Sequence, residues 1–99
     1  MYTNGYDRYL ETAVETASPA RLIVMLYDGA IRFINNAIDA MQNRQYEQQN
    51  YYLQRAQKIL AELISSLDFD KGGEIAENLF RLYTYMYNQL VEANLQDSV

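Results

Sequence analysis

The sequence predicts an all-α protein, an antiparallel up-down helical bundle with a short cap segment at its N-terminus. Apolar residues recur at the spacing of a helix face through most of the chain. The only proline, Pro19, follows a serine and so stands where a helix would begin. Because 99 residues are enough for one domain and not for two, we expect residues 1–99 to fold as a single bundle.

Helix A is expected over residues 19–44. Ser18 is the predicted N-cap, and Pro19 takes the first helical position, where its missing N–H costs nothing. The polar residues of this segment trace one stripe: Arg21, Asp28, Arg32, Asn35, Asp39 and Gln42. Because nearly every other position is apolar, we expect helix A to lie centrally, with neighbours on both sides.

Helices B and C are expected over residues 46–67 and 74–96. Helix B carries one narrow apolar stripe, as expected of a helix that faces one core. The residues from Asp68 to Gly73 predict a loop. Helix C has two adjacent apolar stripes, so helices A and C carry more apolar surface than three helices can cover. The sequence therefore requires a fourth helix or a partner.

The first 15 residues differ from the rest of the chain. Their larger apolar side chains recur at nearly helical spacing among polar residues, and they are Tyr2, Tyr6, Tyr9, Leu10 and Val14. We expect either a short amphipathic helix or an ordered flap for this cap segment, residues 1–15.

The composition excludes several classes of function. With 8 basic and 13 acidic residues the formal net charge is −5, so the surface repels a phosphate backbone and nucleic-acid binding is not expected. Histidine and cysteine are both absent, which excludes Ser-His-Asp and Cys-His nucleophiles and a histidine phosphotransfer site. We therefore predict that the protein is not an enzyme and holds neither a cofactor nor a metal.

Two absences bear on where the protein acts. No apolar run approaches the roughly 20 residues that a membrane-spanning helix needs, so no membrane insertion is expected. The N-terminal residues lack the basic and apolar regions of a signal peptide. We expect a cytoplasmic protein.

Tyrosine is unusually frequent, with 10 residues in the chain. Such rings lie either at the rim of a core, with the hydroxyl outward, or on a recognition surface. Tyr83 and Tyr87 share one helix face and Tyr85 lies on another, so we do not expect all three in the core. Asp28 either faces water or bonds a partner, and Gly29 indicates a close helix crossing or a close ligand.

Five segments and one tyrosine carry a family resemblance. They are Thr16–Pro19, Leu22–Phe33, Ala56–Leu60, Gly72–Leu79 and Leu90–Asn94, together with Tyr6. In these residues the chain resembles the FliS family, the cytoplasmic export chaperones of flagellin. The resemblance covers almost the whole chain, and the stretch from Thr16 to Phe33 is its most specific part.

The resemblance implies a four-helix bundle with an N-terminal cap. It implies binding to the C-terminal segment of flagellin, which is disordered in the monomer and wraps round the chaperone as short helices. Premature polymerisation is then blocked, and the flagellin stays competent for type III export by a second implied partner, the flagellar export apparatus. Family members carry a further helix beyond the position of Val99, so the last bundle helix is expected to be missing from this chain. A homodimer, a swapped helix or the flagellin tail would then cover helices A and C.

We expect the flagellin groove to run along helices A and C. The candidate flagellin-binding residues are Tyr6, Tyr9, Leu10, Ile23, Tyr27, Asp28, Ile31, Ile34, Tyr83 and Tyr87. The first three of them are expected to cover part of the groove when flagellin is absent. The alternative is a structural helical module that forms an obligate homodimer and has no chaperone activity.

Overall fold

The computed structural model describes residues 5–96. Within this part of the chain there are four helices and no strand: α1 Gly5–Thr16, α2 Pro19–Gln42, α3 Tyr46–Ser65 and α4 Phe69–Gln96. The prediction of an all-α bundle is confirmed. No helix of the described residues is both long enough and apolar enough to cross a membrane.

The start of α2 is fixed by a serine cap. Ser18 has extended backbone angles, and its Oγ accepts a hydrogen bond from the backbone N–H of Arg21 at 3.2 Å. Its carbonyl accepts the first helical bond, from the N–H of Leu22 at 2.9 Å. Pro19 occupies the first helical position, as predicted.

The central helix of the bundle is α3, which packs against both α2 and α4. No other pair of helices in the described part of the chain packs extensively. The expectation that helix A would be central is therefore wrong. The residues of α3 that α2 and α4 bury are Gln49, Leu53, Ala56, Leu60 and Leu63. A narrow apolar stripe is enough for this central position, because two neighbours cover it from adjacent sides.

The core lies where the three longer helices meet. Its fully buried members are Leu60, Leu63 and Tyr83. Partly buried apolar side chains surround them, and these are Ile23, Leu26, Ile59, Ile64, Leu67, Leu79, Met86, Tyr87 and Leu90. Tyr83 is only 4% exposed, so at this position the core interpretation of the tyrosines holds, while Tyr85 is 61% exposed.

Small residues allow α2 and α3 to approach closely. On α2 the buried residues are Gly29, Ala30, Ala37 and Ala40, and on α3 Ala56 is fully buried. A Cβ atom added at Gly29 would lie 3.1 Å from Cδ1 of Ile59. A close helix crossing, and not a ligand, therefore explains the glycine in the middle of α2.

The segment expected as a loop before helix C is a helical turn. Oδ1 of Asp68 accepts a hydrogen bond from the N–H of Lys71 at 3.0 Å, and its carbonyl accepts one from the N–H of Gly72 at 2.7 Å. This capping starts a helix at Phe69, five residues before the expected start at residue 74. The turn then kinks at Gly73, where φ is 49° and ψ is −122°.

Helices α2 and α4 expose much of their apolar surface, as their sequences led us to expect. On α2 the exposed large side chains are Val24, Tyr27, Ile31, Ile38 and Met41. On α4 they are Phe69, Ile75, Phe80, Leu82, Tyr85 and Leu95. Packing against α3 therefore leaves part of the apolar surface of the two outer helices, α2 and α4, exposed.

The cap segment is helical from Gly5 to Thr16. It does not pack extensively against α2, α3 or α4 in the described part of the chain. Tyr9 is 65% exposed and Val14 is 49% exposed. Of the two forms expected for this segment, the structure has the amphipathic helix.

We predict that Gly73→Ala destabilises the protein by about 1–3 kcal/mol, because an alanine at this φ and ψ is strained. Its Cβ would meet nothing within 4 Å, so the backbone alone sets the cost. Urea unfolding measures it. Gly5→Ala is the control, since its Cβ also meets nothing and its backbone is helical. If Gly73→Ala left the free energy of unfolding unchanged, the strain assigned to this backbone conformation would be contradicted.

Candidate binding cleft between α2 and α4

An apolar cleft of about 400 Å³ opens between α2 and α4. Its lining side chains come from α2, the end of α3, the turn after it and the first half of α4. They are Ile23, Tyr27, Leu63, Ser66, Leu67, Asp68, Lys71, Gly72, Ile75, Ala76, Leu79 and Tyr83. Most of them are apolar, so the cleft suits an apolar side chain or a helix face better than a charged ligand.

The cleft runs from the surface down to the core. Ile75 is 70% exposed and Tyr27 is 39% exposed, whereas Leu63 and Tyr83 are buried. A ligand side chain that entered here would therefore exchange water for contacts with side chains that the fold already holds in place.

The folded turn after α3 shapes one end of the cleft. Asp68, Lys71 and Gly72 contribute to the lining and are held together by the two capping bonds to Asp68. The kink at Gly73 then redirects the chain, and Ile75 on α4 joins the same wall. A plain loop at this place would leave that end of the cleft undefined.

Two tyrosines on the cleft wall connect α2 to α4. The hydroxyls of Tyr27 and Tyr83 form a hydrogen bond, and the ring centroids are 6.3 Å apart with the planes at 52°. The pKa of Tyr83 is raised to about 12. Burial is the largest cause, and the hydrogen bond to Tyr27 and the electrostatic repulsion from the Tyr27 oxygen add to it. The pair is a polar element in a lining that is otherwise mostly apolar.

Three of the ten predicted site residues meet at the cleft: Ile23, Tyr27 and Tyr83. The other α2 candidates lie outside it. Asp28 and Ile31 are exposed and Ile34 is partly buried, and Ile31 retains 59% of its surface.

Tyr87 lies about one helical turn after Tyr83 on α4. It packs against the core and borders a hollow of about 290 Å³ whose other lining residues, all on α3, are Gln54, Gln57, Lys58 and Ala61. The structure therefore does not bring Tyr87 to the cleft.

Two of the three N-terminal candidates are also away from the cleft. Tyr9 is exposed, and Leu10 borders a hollow whose described lining residues all belong to α1. The side chain of Tyr6 lies outside the described residues. None of the described α1 side chains lines the cleft, so a role for this segment in binding stays a prediction.

Sequence periodicity does not identify several of the lining residues as part of a site. Leu63 and Leu67 fall within the predicted helix B, and Lys71 falls within the predicted loop. Ile75 and Leu79 fall on an apolar stripe of helix C, and their spacing is the same for a cleft wall as for a core. The capping pattern of Asp68 was the one signal that could have placed the turn.

We predict that Tyr83 makes stability fall above pH 10. The pKa is 10.0 for an ordinary tyrosine and about 12 in the folded chain, so the stabilisation is fully present below pH 10 and is lost as the pH rises to 12. Urea unfolding across this interval should show a loss about 2–3 kcal/mol larger in the wild type than in Tyr83→Phe. The control is Tyr85→Phe, which removes an exposed hydroxyl from the same helix and should keep the wild-type loss. Equal losses in Tyr83→Phe and the wild type would contradict the assignment.

Comparison with known proteins agrees with this architecture. The family model described as flagellar protein FliS matches residues 2–99. A flagellar secretion chaperone FliS of Campylobacter jejuni is 41% identical over 94 residues, which cover 95% of this chain and 73% of the relative. The Bacillus subtilis protein of the same name is 37% identical over 94 residues, covering 95% and 69%. The Salmonella typhimurium protein is 40% identical over 103 residues, covering 98% and 76%.

The match extends over the helices that build the cleft, and three relatives from different bacteria carry the same name. The chain therefore belongs to the FliS family of flagellar secretion chaperones.

Proposed function

We propose that this protein is a cytoplasmic export chaperone that binds the disordered C-terminal segment of flagellin in the cleft between α2 and α4. It would prevent premature polymerisation and keep flagellin competent for transfer to the flagellar export apparatus. The observation that carries the proposal is the apolar cleft, which continues into exposed apolar side chains on α2 and on the first half of α4.

The chemistry of the cleft favours an amphipathic segment as ligand. Its volume of about 400 Å³ is within the roughly 300–1,000 Å³ of ligand pockets. Helix-in-groove recognition uses apolar anchors at the spacing of one helix face, and the lining offers apolar contacts for such anchors. A segment held in this way keeps its sticky face covered while the rest of the substrate stays unfolded.

The exposed stripe of α2 would extend the contact beyond the cleft. It runs from Val24 to Met41, which at 1.5 Å per residue is about 25 Å. A disordered segment loses conformational entropy when it folds on binding, so a useful affinity needs a large contact area. The cleft and the stripe together supply more area than the cleft alone.

The same observation also favours a second candidate, the structural homodimer. Apolar side chains on α2 and α4 could be covered by another copy of the chain, since exposed apolar patches mark interfaces of either kind. Light scattering over a range of concentrations separates the two. A structural dimer keeps its mass on dilution and ignores flagellin, whereas the chaperone forms a complex when the flagellin segment is added.

We predict that Ile75→Glu weakens binding of a flagellin C-terminal peptide at least about tenfold, which is about 1.4 kcal/mol. The reason is that Ile75 lines the cleft, and a carboxylate there would have to be desolvated when the ligand packs on it. Calorimetric titration measures the effect.

The matched control is Leu95→Glu. Leu95 is 68% exposed on the same helix, close to the 70% of Ile75, and it does not line the cleft. Its change should alter the affinity by less than about twofold. Equal losses in the two variants would place the flagellin segment elsewhere.

A further inference from the structure

A cluster of aromatic and basic side chains lies on the outer flank of α2 and α3. The guanidinium carbon of Arg55 lies 5.5 Å from the ring centroid of Phe33 and 5.8 Å from that of Tyr51. Tyr52 contacts both rings, with centroids 6.3 Å from Phe33 and 5.4 Å from Tyr51. We call Phe33, Tyr51, Tyr52 and Arg55 the arginine cluster.

The cluster borders a hollow of about 230 Å³. Phe33, Arg55, Lys58, Ile59 and Glu62 line it. An apolar floor from a ring and an isoleucine thus lies beside two cations and one carboxylate, which leaves the hollow with a net positive charge.

Two aromatic rings hold Arg55 in place. Both ring distances are within the range of about 6 Å for cation–π contacts, and the rings are those of Phe33 and Tyr51. A guanidinium held over aromatic faces keeps its in-plane N–H donors for a ligand, and a planar fork of donors matches a carboxylate.

The hollow is separate from the cleft. Successive residues of a helix are rotated by about 100°, which places Arg55 and Glu62 on a different face of α3 from the cleft residue Leu63. None of the described residues lines both sites. A ligand in one therefore does not block the other directly.

We propose that the arginine cluster and its hollow form a second protein-binding site, which takes an acidic segment of a partner with an apolar side chain flanked by carboxylates. The apolar side chain enters between Phe33 and Ile59, and the carboxylates meet Arg55 and Lys58. Charge determines the choice of occupant. Arg55 and Lys58 outweigh Glu62 at the hollow, whereas the whole chain has a net charge of −5, so this flank attracts an acidic segment more strongly than the surface as a whole does.

The probes are two short amphipathic helical peptides with the same leucine stripe, one flanked by glutamates and the other by lysines. Each is titrated into the full chain at low ionic strength, and binding is followed by calorimetry and by NMR shifts. The glutamate peptide should bind, should shift the signals of Phe33 and Tyr51, and should lose affinity as salt is added. The lysine peptide should bind at least about tenfold more weakly.

Arg55→Gln and Arg81→Gln provide a matched pair, because each removes one positive charge from an exposed arginine. Arg81 lies on α4, away from the hollow. Arg55→Gln should weaken binding of the glutamate peptide about tenfold, which is the effect of losing one charge-assisted contact. Arg81→Gln should change this affinity by less than about twofold. Ile75→Glu in the cleft should leave this binding unchanged.

Three results would overturn the proposal: equal binding of the two peptides, equal losses in the two arginine variants, or NMR shifts confined to the cleft. Because neither probe is flagellin, the flagellin titrations can fail or succeed independently of this test.

Discussion

The burial of α3 between α2 and α4 is the constraint on which the rest of the structure depends. Small residues at the α2–α3 crossing bring those helices close together, and Leu60, Leu63 and Tyr83 close the contact with α4. Since α2 and α4 pack on α3 and meet each other through the Tyr27–Tyr83 pair, an open angle remains between them. The cleft is the space inside that angle.

The arrangement explains why one small domain can present two different surfaces. Inside the angle the side chains are mostly apolar, and they suit an apolar side chain or a helix face. On the outer flank of α2 and α3, Arg55 and Lys58 border a smaller hollow of mixed character. In the two proposals above these surfaces take different partners, and no described residue belongs to both.

Sequence periodicity was sufficient for the helices and for their excess of apolar surface, because these depend on local spacing. The cap of Ser18 was also predictable, since its chemistry lies within four residues. Two features of the structure could not be predicted from the sequence. The central position of α3 depends on which helices touch, which a stripe width does not decide. The residues from Asp68 to Gly73 predict a loop, since polar residues with adjacent glycines favour one, whereas a capped helical turn forms there. The site could be predicted only in part for the same reason, because Asp68, Lys71 and Gly72 of that turn line the cleft.

The measurement that tests the central claim most directly is a titration of the full chain with a peptide of the flagellin C-terminal segment, followed in parallel by calorimetry and by NMR. The account predicts binding with a strongly negative heat-capacity change and shifts concentrated on Ile23, Leu67, Ile75 and Leu79. Absence of binding, or shifts that avoid the cleft, would contradict it.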